Sequence, residues 1–192
     1  HRTLPVAQIR EGLAEAVKYG LIADPALFSL IEKKTSGILA ADTAVMSKIV
    51  HTCARIKRDV VEADEREEKG IRTILNFGHT LGHALETVSA YRLSHGNAVS
   101  LGMIAALHLS KSMGILTDAG LIDRTLALLE SAGMPRSLSG MKEADILESM
   151  KTDKKFITGR TRFVLLKDLG RPQIIENIPM PQIKNALRTI LK

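Results

Sequence analysis

The sequence predicts a mainly α-helical domain with a small β-hairpin near its C-terminus. Apolar residues recur at every third or fourth position through most of the 192 residues, which is the spacing of a buried helix face. Only residues 162–166 and 173–176 have an extended pattern, and the turn-like segment KDLGRP between them indicates a hairpin. We therefore expect a multi-helix domain.

Residues that typically begin or end helices mark the predicted boundaries. Asp24 and Pro25 form a start signal, Asp42 or Thr43 is the expected N-cap of a long third helix, and Gly114 ends a later one. The predicted helices cover residues 6–20, 25–40, 42–68, 71–90, 97–113, 117–132, 142–151 and 181–191. The chain has no internal repeat, low-complexity tract or linker, and its length suits a single domain or one and a half.

The predicted helix over residues 71–90 has an unusual polar face. At 100° per residue, one narrow side of it carries Arg72, Asn76, His79, His83 and Glu86. The opposite side is apolar and consists of Ile74, Phe77, Leu81, Leu85 and Val88. A solvated helix face usually mixes Lys, Glu, Gln and Ser, whereas this one combines a guanidinium, an amide and two imidazoles. The pattern predicts the wall of an active site.

The histidines of this region are candidate metal ligands. His79 and His83 are four residues apart, so both imidazoles can reach one ion, and His95 follows just before Gly96. From the residues alone, a metal site and a set of hydrogen-bonded histidines both remain open. A zinc protease is excluded, because the segment lacks the glutamate that follows the first histidine in that motif.

Composition limits the function classes. The net charge is +6, which fits either solvated surface Lys and Arg or a positive field that attracts a small polyanionic substrate. Trp is absent and aromatic residues are only 3%, so the stacking surface of a single-stranded nucleic-acid binder is missing. No apolar run approaches membrane-spanning length and no signal peptide is recognisable. Cys53 is the only cysteine, which excludes an intramolecular disulfide and favours a reducing, cytoplasmic location.

A dinucleotide-binding unit is not predicted. Such a unit needs alternating strands and helices with a Gly-rich phosphate turn, and the helical pattern supplies neither. Gly78 and Gly82 lie inside a predicted helix, where close packing against a neighbouring helix explains them better.

Five sequence blocks together resemble 3-dehydroquinate synthase, specifically its C-terminal metal- and substrate-binding domain. They are GLAEAVKYGLI at 12–22, KRDVVEADERE at 57–67, GIRTILNFGHTLGHALE at 70–86, SHGNAVSLGM at 94–103 and DKK at 153–155. The resemblance runs from about Thr3 to Leu169. It implies that residues 1–192 are the C-terminal domain of a two-domain enzyme, commonly a homodimer, whose N-terminal NAD-binding domain is absent from this chain.

The resemblance also implies a ligand set for a divalent metal, zinc or cobalt. The family's Gly-x-x-Glu-x-x-Lys pattern falls on Gly12, Glu15 and Lys18, so the implied ligands are Glu15, His79 and His95. From the residues alone, an ion pair with Lys18 three residues later on a helix surface explains Glu15 better than metal binding does.

The implied substrate is 3-deoxy-D-arabino-heptulosonate 7-phosphate, which the family converts to 3-dehydroquinate and phosphate using NAD as a recycled cofactor. Arg72 and Lys57 would hold the substrate carboxylate, and Asn76 and His83 would face the phosphate side, with His83 able to move protons at neutral pH. Lys18 would contact substrate near the metal. One lysine of the pair Lys154 and Lys155 would join the phosphate site.

Three alternatives remain beside this assignment. Another sugar-phosphate cyclase would share the metal site, but the positions of Arg72 and Asn76 tend to change where the substrate lacks the same carboxylate. A metal-dependent polyol dehydrogenase of similar architecture is a more distant alternative. The third is a non-catalytic metal-binding or interaction module.

Two departures from the family pattern stand out. Segment 64–72, DEREEKGIR, is one residue longer than expected, which affects where Lys57 lies relative to the 71–90 segment. Asn97 occupies the position after His-Gly where the family usually has Glu. If that glutamate orients the metal-binding histidine, metal affinity or preference is altered in this chain.

Overall fold

The computed structural model describes residues 3–66, 68, 70–152 and 162–192 and confirms a mainly α-helical domain with a C-terminal hairpin. The helices are α1 (Val6–Ile22), α2 (Pro25–Leu39), α3 (Thr43–Ala63), a 3-10 helix (Ile71–Asn76), α4 (His79–Val88), α5 (His95–Ser112), α6 (Gly120–Ser131), α7 (Glu143–Thr152) and α8 (Met180–Arg188). Strands β1 (Arg162–Asp168) and β2 (Arg171–Glu176) pair antiparallel, with Phe163 opposite Ile175.

The first helices begin where the aspartate signals predict. Asp24 accepts a hydrogen bond from the backbone N–H of Leu27 at 2.9 Å, with Pro25 in the first turn of α2. Asp42, and not Thr43, is the N-cap of α3. This helix ends at Ala63, well before the predicted residue 68, because the chain folds back at buried Asp64.

Helix α5 is the centre of the domain. It packs against α1, α4, α6, α8 and β1. Its residues are buried on nearly every side. At Gly102 a Cβ would lie 2.9 Å from the carbonyl carbon of Gly78, so the two backbones approach closely there. Among the helices that the structure describes, none combines the length and apolarity needed to cross a membrane.

The prediction of one continuous helix over residues 71–90 is wrong. The chain forms the short 3-10 helix, breaks at Phe77 and Gly78, and restarts as α4 at His79. Gly78 has φ +78°, in the left-handed region, and a Cβ there would lie 2.7 Å from Met103 Cγ and 2.8 Å from the Val99 carbonyl oxygen. The close packing expected of Gly78 and Gly82 is therefore present, although only Gly82 lies within a helix.

Gly78→Ala is expected to lower the free energy of unfolding by about 2 to 4 kcal/mol, because it adds left-handed backbone strain to a clash with α5. Gly114→Ala is the matched control: Gly114 has φ +69° but nothing lies within 4 Å of its Cβ position, so only the strain of about 1 to 2 kcal/mol applies. Urea denaturation measures both, and equal losses would contradict the packing argument.

Candidate metal and substrate site

Three helices bring Glu15, His79 and His95 to one point. Glu15 lies on α1, whereas His79 and His95 are the first residues of α4 and α5. Glu15 Oε1 is 3.4 Å from Nε2 of His79 and 3.4 Å from Nε2 of His95. One ligand atom from each residue lies within 4.8 Å of the others. Two imidazoles and one carboxylate are a ligand set typical of a catalytic zinc-type site with an open position.

The two oxygens of Glu15 have different surroundings. Oε2 accepts a hydrogen bond from Lys18 Nζ at 2.7 Å. Oε1 is buried, faces the two imidazoles, and receives no hydrogen bond from the residues that the structure describes. Because an orphaned buried carboxylate oxygen is costly, this atom fits the position of a metal ligand.

The ion pair between Lys18 and Glu15 that the sequence offered as an alternative is therefore present, and it leaves Oε1 available. Lys18 is only 3% exposed, so its ammonium needs this partner. Burial tends to raise the pKa of Glu15, but Lys18 and then the two histidines outweigh that effect and the pKa is lowered. The carboxylate is consequently charged at neutral pH.

Contacts of the far ring nitrogens orient both candidate histidine ligands. His79 Nδ1 is 3.1 Å from the carbonyl oxygen of Phe77, and His95 Nδ1 is 3.1 Å from Glu86 Oε1. With Nδ1–H donating in each case, the lone pair of Nε2 points toward Glu15. Burial, and next the charge of Lys18, lowers the pKa of His79 to about 4, so this ring is neutral at pH 7 and ready to bind a metal.

His83 lies beside this cluster without joining it. Its ring centroid is 5.3 Å from that of His79 and 6.4 Å from that of His95, and the residue is exposed. The spacing of His79 and His83 allowed both to bind one ion, but the second histidine beside Glu15 is His95, which is more distant in sequence. An exposed imidazole beside the ligand cluster is placed to contact a bound substrate.

Arg72 and Asn76 do not share a helix face with His79, because the chain breaks at Gly78. The Arg72 guanidinium donates to the carbonyl oxygen of Glu65 at 3.2 Å, so it lies against the segment after α3. Asn76 lines a small crevice that reaches Phe163 and Val164 of β1.

Lys57 lies on α3 and lines a cavity that Glu15 also lines. The cavity has a volume of about 430 Å³, is mostly apolar, and is lined by both Glu15 and Lys57. Tyr19 and Cys53 line it too; burial, followed by the charge of Glu15, raises the pKa of Tyr19 to about 12 and that of Cys53 to about 11. Both are neutral at pH 7, so Glu15 and Lys57 are the charged groups of the lining. Lys154 and Lys155 lie outside the described residues.

Two supporting carboxylates were missed as site residues. Glu86 was placed on the polar face of the 71–90 segment, one turn after His83, but its contact with His95 depends on the return of the chain to α5. Glu11 precedes Glu15 by one turn of α1 and binds Ser94 and Gly96, which flank His95. The spacing from Glu15 was the only signal for Glu11.

Solved structures with low sequence identity share this fold. The chain matches 2-epi-5-epi-valiolone synthase from Streptomyces hygroscopicus, a structure with NAD+ and Zn2+ bound, with a TM-score of 0.87 and 22% identity over 98% of this chain and 52% of that one. It matches 2-deoxy-scyllo-inosose synthase complexed with carbaglucose-6-phosphate, NAD+ and Co2+ with a TM-score of 0.84 and 22% identity, covering 97% of this chain and 53% of that one.

Sequence comparison gives the family directly. The family described as 3-dehydroquinate synthase C-terminal matches residues 12–156. The 3-dehydroquinate synthase of Desulforamulus reducens is 43% identical over 97% of this chain and 52% of its own length, and that of Paenarthrobacter aurescens is 42% identical over 91% and 48%. The chain spans about half the length of these curated relatives, and it belongs to the 3-dehydroquinate synthase family, whose C-terminal part it matches.

Proposed function

We propose that this chain is the metal- and substrate-binding domain of a 3-dehydroquinate synthase. The whole enzyme would convert 3-deoxy-D-arabino-heptulosonate 7-phosphate to 3-dehydroquinate and phosphate. The observation that carries the proposal concerns Oε1 of Glu15, in a chain that belongs to this family. This oxygen lies between His79 and His95 and accepts no hydrogen bond from the described residues. A homodimer in the cytoplasm is the expected setting.

The proposed metal is zinc or cobalt, held by Glu15, His79 and His95. A carboxylate with two imidazoles suits either ion, and solved structures of this fold contain Zn2+ or Co2+. When bound there, the ion supplies Lewis-acid polarisation of substrate oxygens. Lys18 holds the second oxygen of Glu15, so the carboxylate is oriented by a charge as well as by its helix.

NAD is proposed to bind mainly to an N-terminal domain. Within the described ranges, the two strands form an antiparallel hairpin, which is not the parallel strand–helix–strand unit that holds a dinucleotide. NAD supplies reversible oxidation of one substrate hydroxyl, which acidifies the neighbouring carbon for loss of phosphate and is reversed afterwards. The overall reaction is therefore redox-neutral: a carbon–oxygen bond to phosphate breaks and a carbon–carbon bond closes the ring.

The remaining residues are proposed to bind and orient the substrate. Lys57 is exposed and lines the same cavity as Glu15, where an ammonium can pair with the substrate carboxylate. Arg72 would grip the same carboxylate with parallel hydrogen bonds. Asn76 and His83 would face the phosphate side, where His83 would move protons to and from the substrate. Lys18 would contact substrate beside the metal. Lys154 or Lys155 would complete the phosphate site.

Other sugar-phosphate cyclases are the alternative closest in chemistry. They share the fold, as the valiolone and deoxy-scyllo-inosose synthases show, but 22% identity carries no substrate assignment. Arg72 and Asn76 favour a carboxylate-bearing substrate. A polyol dehydrogenase would turn over without releasing phosphate, and a non-catalytic module would bind metal without turnover.

The chain alone is expected not to release phosphate from 3-deoxy-D-arabino-heptulosonate 7-phosphate with NAD and Co2+ present. Joining it to the N-terminal half of the Desulforamulus reducens relative should produce 3-dehydroquinate and phosphate in equal amounts, because the site then includes a dinucleotide-binding domain. The same fusion carrying His79→Ala is the control for contaminating activity. Turnover by the chain alone at the rate of an intact enzyme would contradict the division into two domains.

Metal titration tests the ligand set. The chain should bind one Co2+, and His79→Ala or His95→Ala should each weaken binding by more than the roughly 10- to 100-fold typical of losing a supporting contact. His83→Ala is the matched control on the same helix as His79 and should leave Co2+ affinity unchanged. Similar losses from all three variants would contradict the assigned set.

Arg72→Ala in the active fusion is expected to reduce kcat/KM for the carboxylate substrate while leaving Co2+ content unchanged. Loss of a bidentate contact to a buried anion costs on the order of 2 to 5 kcal/mol, and Arg72→Lys should recover only part of it. Arg58→Ala, at an exposed arginine paired with Asp59, is the control. Unchanged kinetics for Arg72→Ala would remove Arg72 from the substrate site.

A further inference from the structure

Glu11 connects two of the helices that carry the candidate metal ligands. It lies on α1, four residues and about one helical turn before Glu15. One carboxylate oxygen accepts a hydrogen bond from the hydroxyl of Ser94, and the other accepts one from the backbone N–H of Gly96. His95 is the residue between these two donors, so Glu11 binds the chain on both sides of a candidate ligand.

The first turn of α5 has no acidic residue of its own. Ser94 is the N-cap, but its side chain caps no backbone N–H of α5, and its hydroxyl donates to Glu11 instead. A glutamate at position 97 would complete the Ser-x-x-Glu capping box, and this chain has Asn97 there instead. The carboxylate at this helix N-terminus is supplied from α1, where it accepts an otherwise unbonded N–H and interacts favourably with the helix dipole.

Close packing makes this contact rigid. A Cβ on Gly96 would lie 2.7 Å from Glu11 Cα and 2.9 Å from the Glu11 carbonyl oxygen, so the backbone of α5 rests directly on that of α1. The glycine therefore lets its N–H reach the carboxylate, and the two helices cannot slide without breaking both hydrogen bonds. The distance between Glu15 and His95 depends on this junction.

We propose that Glu11 is a positioning residue of the metal centre: it takes the place of a first-turn glutamate in α5 and holds His95 against Glu15. This inference rests on the proposed metal site. Glu11 does not reach the ligand atoms itself, because both of its oxygens are engaged by Ser94 and Gly96. It acts through the backbone on either side of His95.

Co2+ titration of the chain, with Glu11→Ala and Glu11→Gln, tests the role. Loss of the carboxylate should weaken Co2+ binding about tenfold, within the range for supporting groups, and change the visible absorption spectrum of the bound ion. Glu11→Gln keeps one acceptor oxygen and should lie between the parent and Glu11→Ala. Glu32→Ala is the matched control. Glu32 also connects two helices, α2 and α6, by accepting a hydrogen bond from Arg124 at 2.7 Å, but neither helix carries a candidate metal ligand.

A second carboxylate position separates positioning from general stability. Asn97→Glu in the Glu11→Ala background restores an acidic side chain to the first turn of α5. Because this side chain caps α5 without joining it to α1, it should recover only part of the Co2+ affinity. Amide hydrogen exchange of the metal-free proteins gives an independent measurement. In the parent chain the Gly96 amide is bonded to Glu11 and exchanges only after the junction opens, so it should exchange faster in Glu11→Ala.

Three results would overturn the proposal: an unchanged Co2+ affinity and spectrum in Glu11→Ala, equal losses in Glu11→Ala and Glu32→Ala, or full recovery of the Co2+ affinity in the double variant. Failure of the parent chain to bind Co2+ would instead refute the proposed metal site. In that case, exchange of the Gly96 amide still tests whether Glu11 holds the first turn of α5. Unchanged exchange in Glu11→Ala would show that it does not.

Discussion

Close packing of α5 against α1 and α4 is the constraint on which the rest of this domain depends. Each of these helices carries one member of the Glu15, His79 and His95 cluster, so the geometry of the cluster is the geometry of their packing. Glycines set the distances, since Gly78 and Gly96 lie where a side chain would collide with a neighbouring helix. Because packed interiors deform little, a helix–helix contact of this kind keeps the three ligands in position.

Electrostatic pairing supports the same arrangement. Lys18 is buried and would be strongly destabilising without Glu15, yet the pair uses only one oxygen of the carboxylate. The other oxygen is left between two imidazoles whose far nitrogens are already engaged. Structural stability and ligand geometry thus rest on one side chain, and the neutral Tyr19 and Cys53 beside it add no competing charge at pH 7.

The helices could be predicted where local signals are strong, but the backbone of the polar segment 71–90 could not. Asp24 with Pro25 marked the start of α2 because capping and proline geometry are properties of a few neighbouring residues. The prediction of one helix over residues 71–90 was wrong because the apolar periodicity continues through Phe77 and Gly78, whereas the helical backbone is interrupted there. Gly78 adopts its left-handed conformation against Met103 and Val99 of α5, which are far away in sequence.

By itself, the sequence determined the helical class, the C-terminal hairpin and the family, since periodicity, capping residues and ordered motifs are all local patterns. It also supplied Glu15, His79 and His95 through that family resemblance. Only the tertiary structure decided that His83 lies outside the cluster and that Arg72 and Asn76 do not share a helix face with His79. It also decided that Glu86 contacts His95 and that Glu11 contacts Ser94 and Gly96 on either side of it. These are relations between helices, and they arise because α5 packs against α1 and α4 at distances that no local pattern encodes.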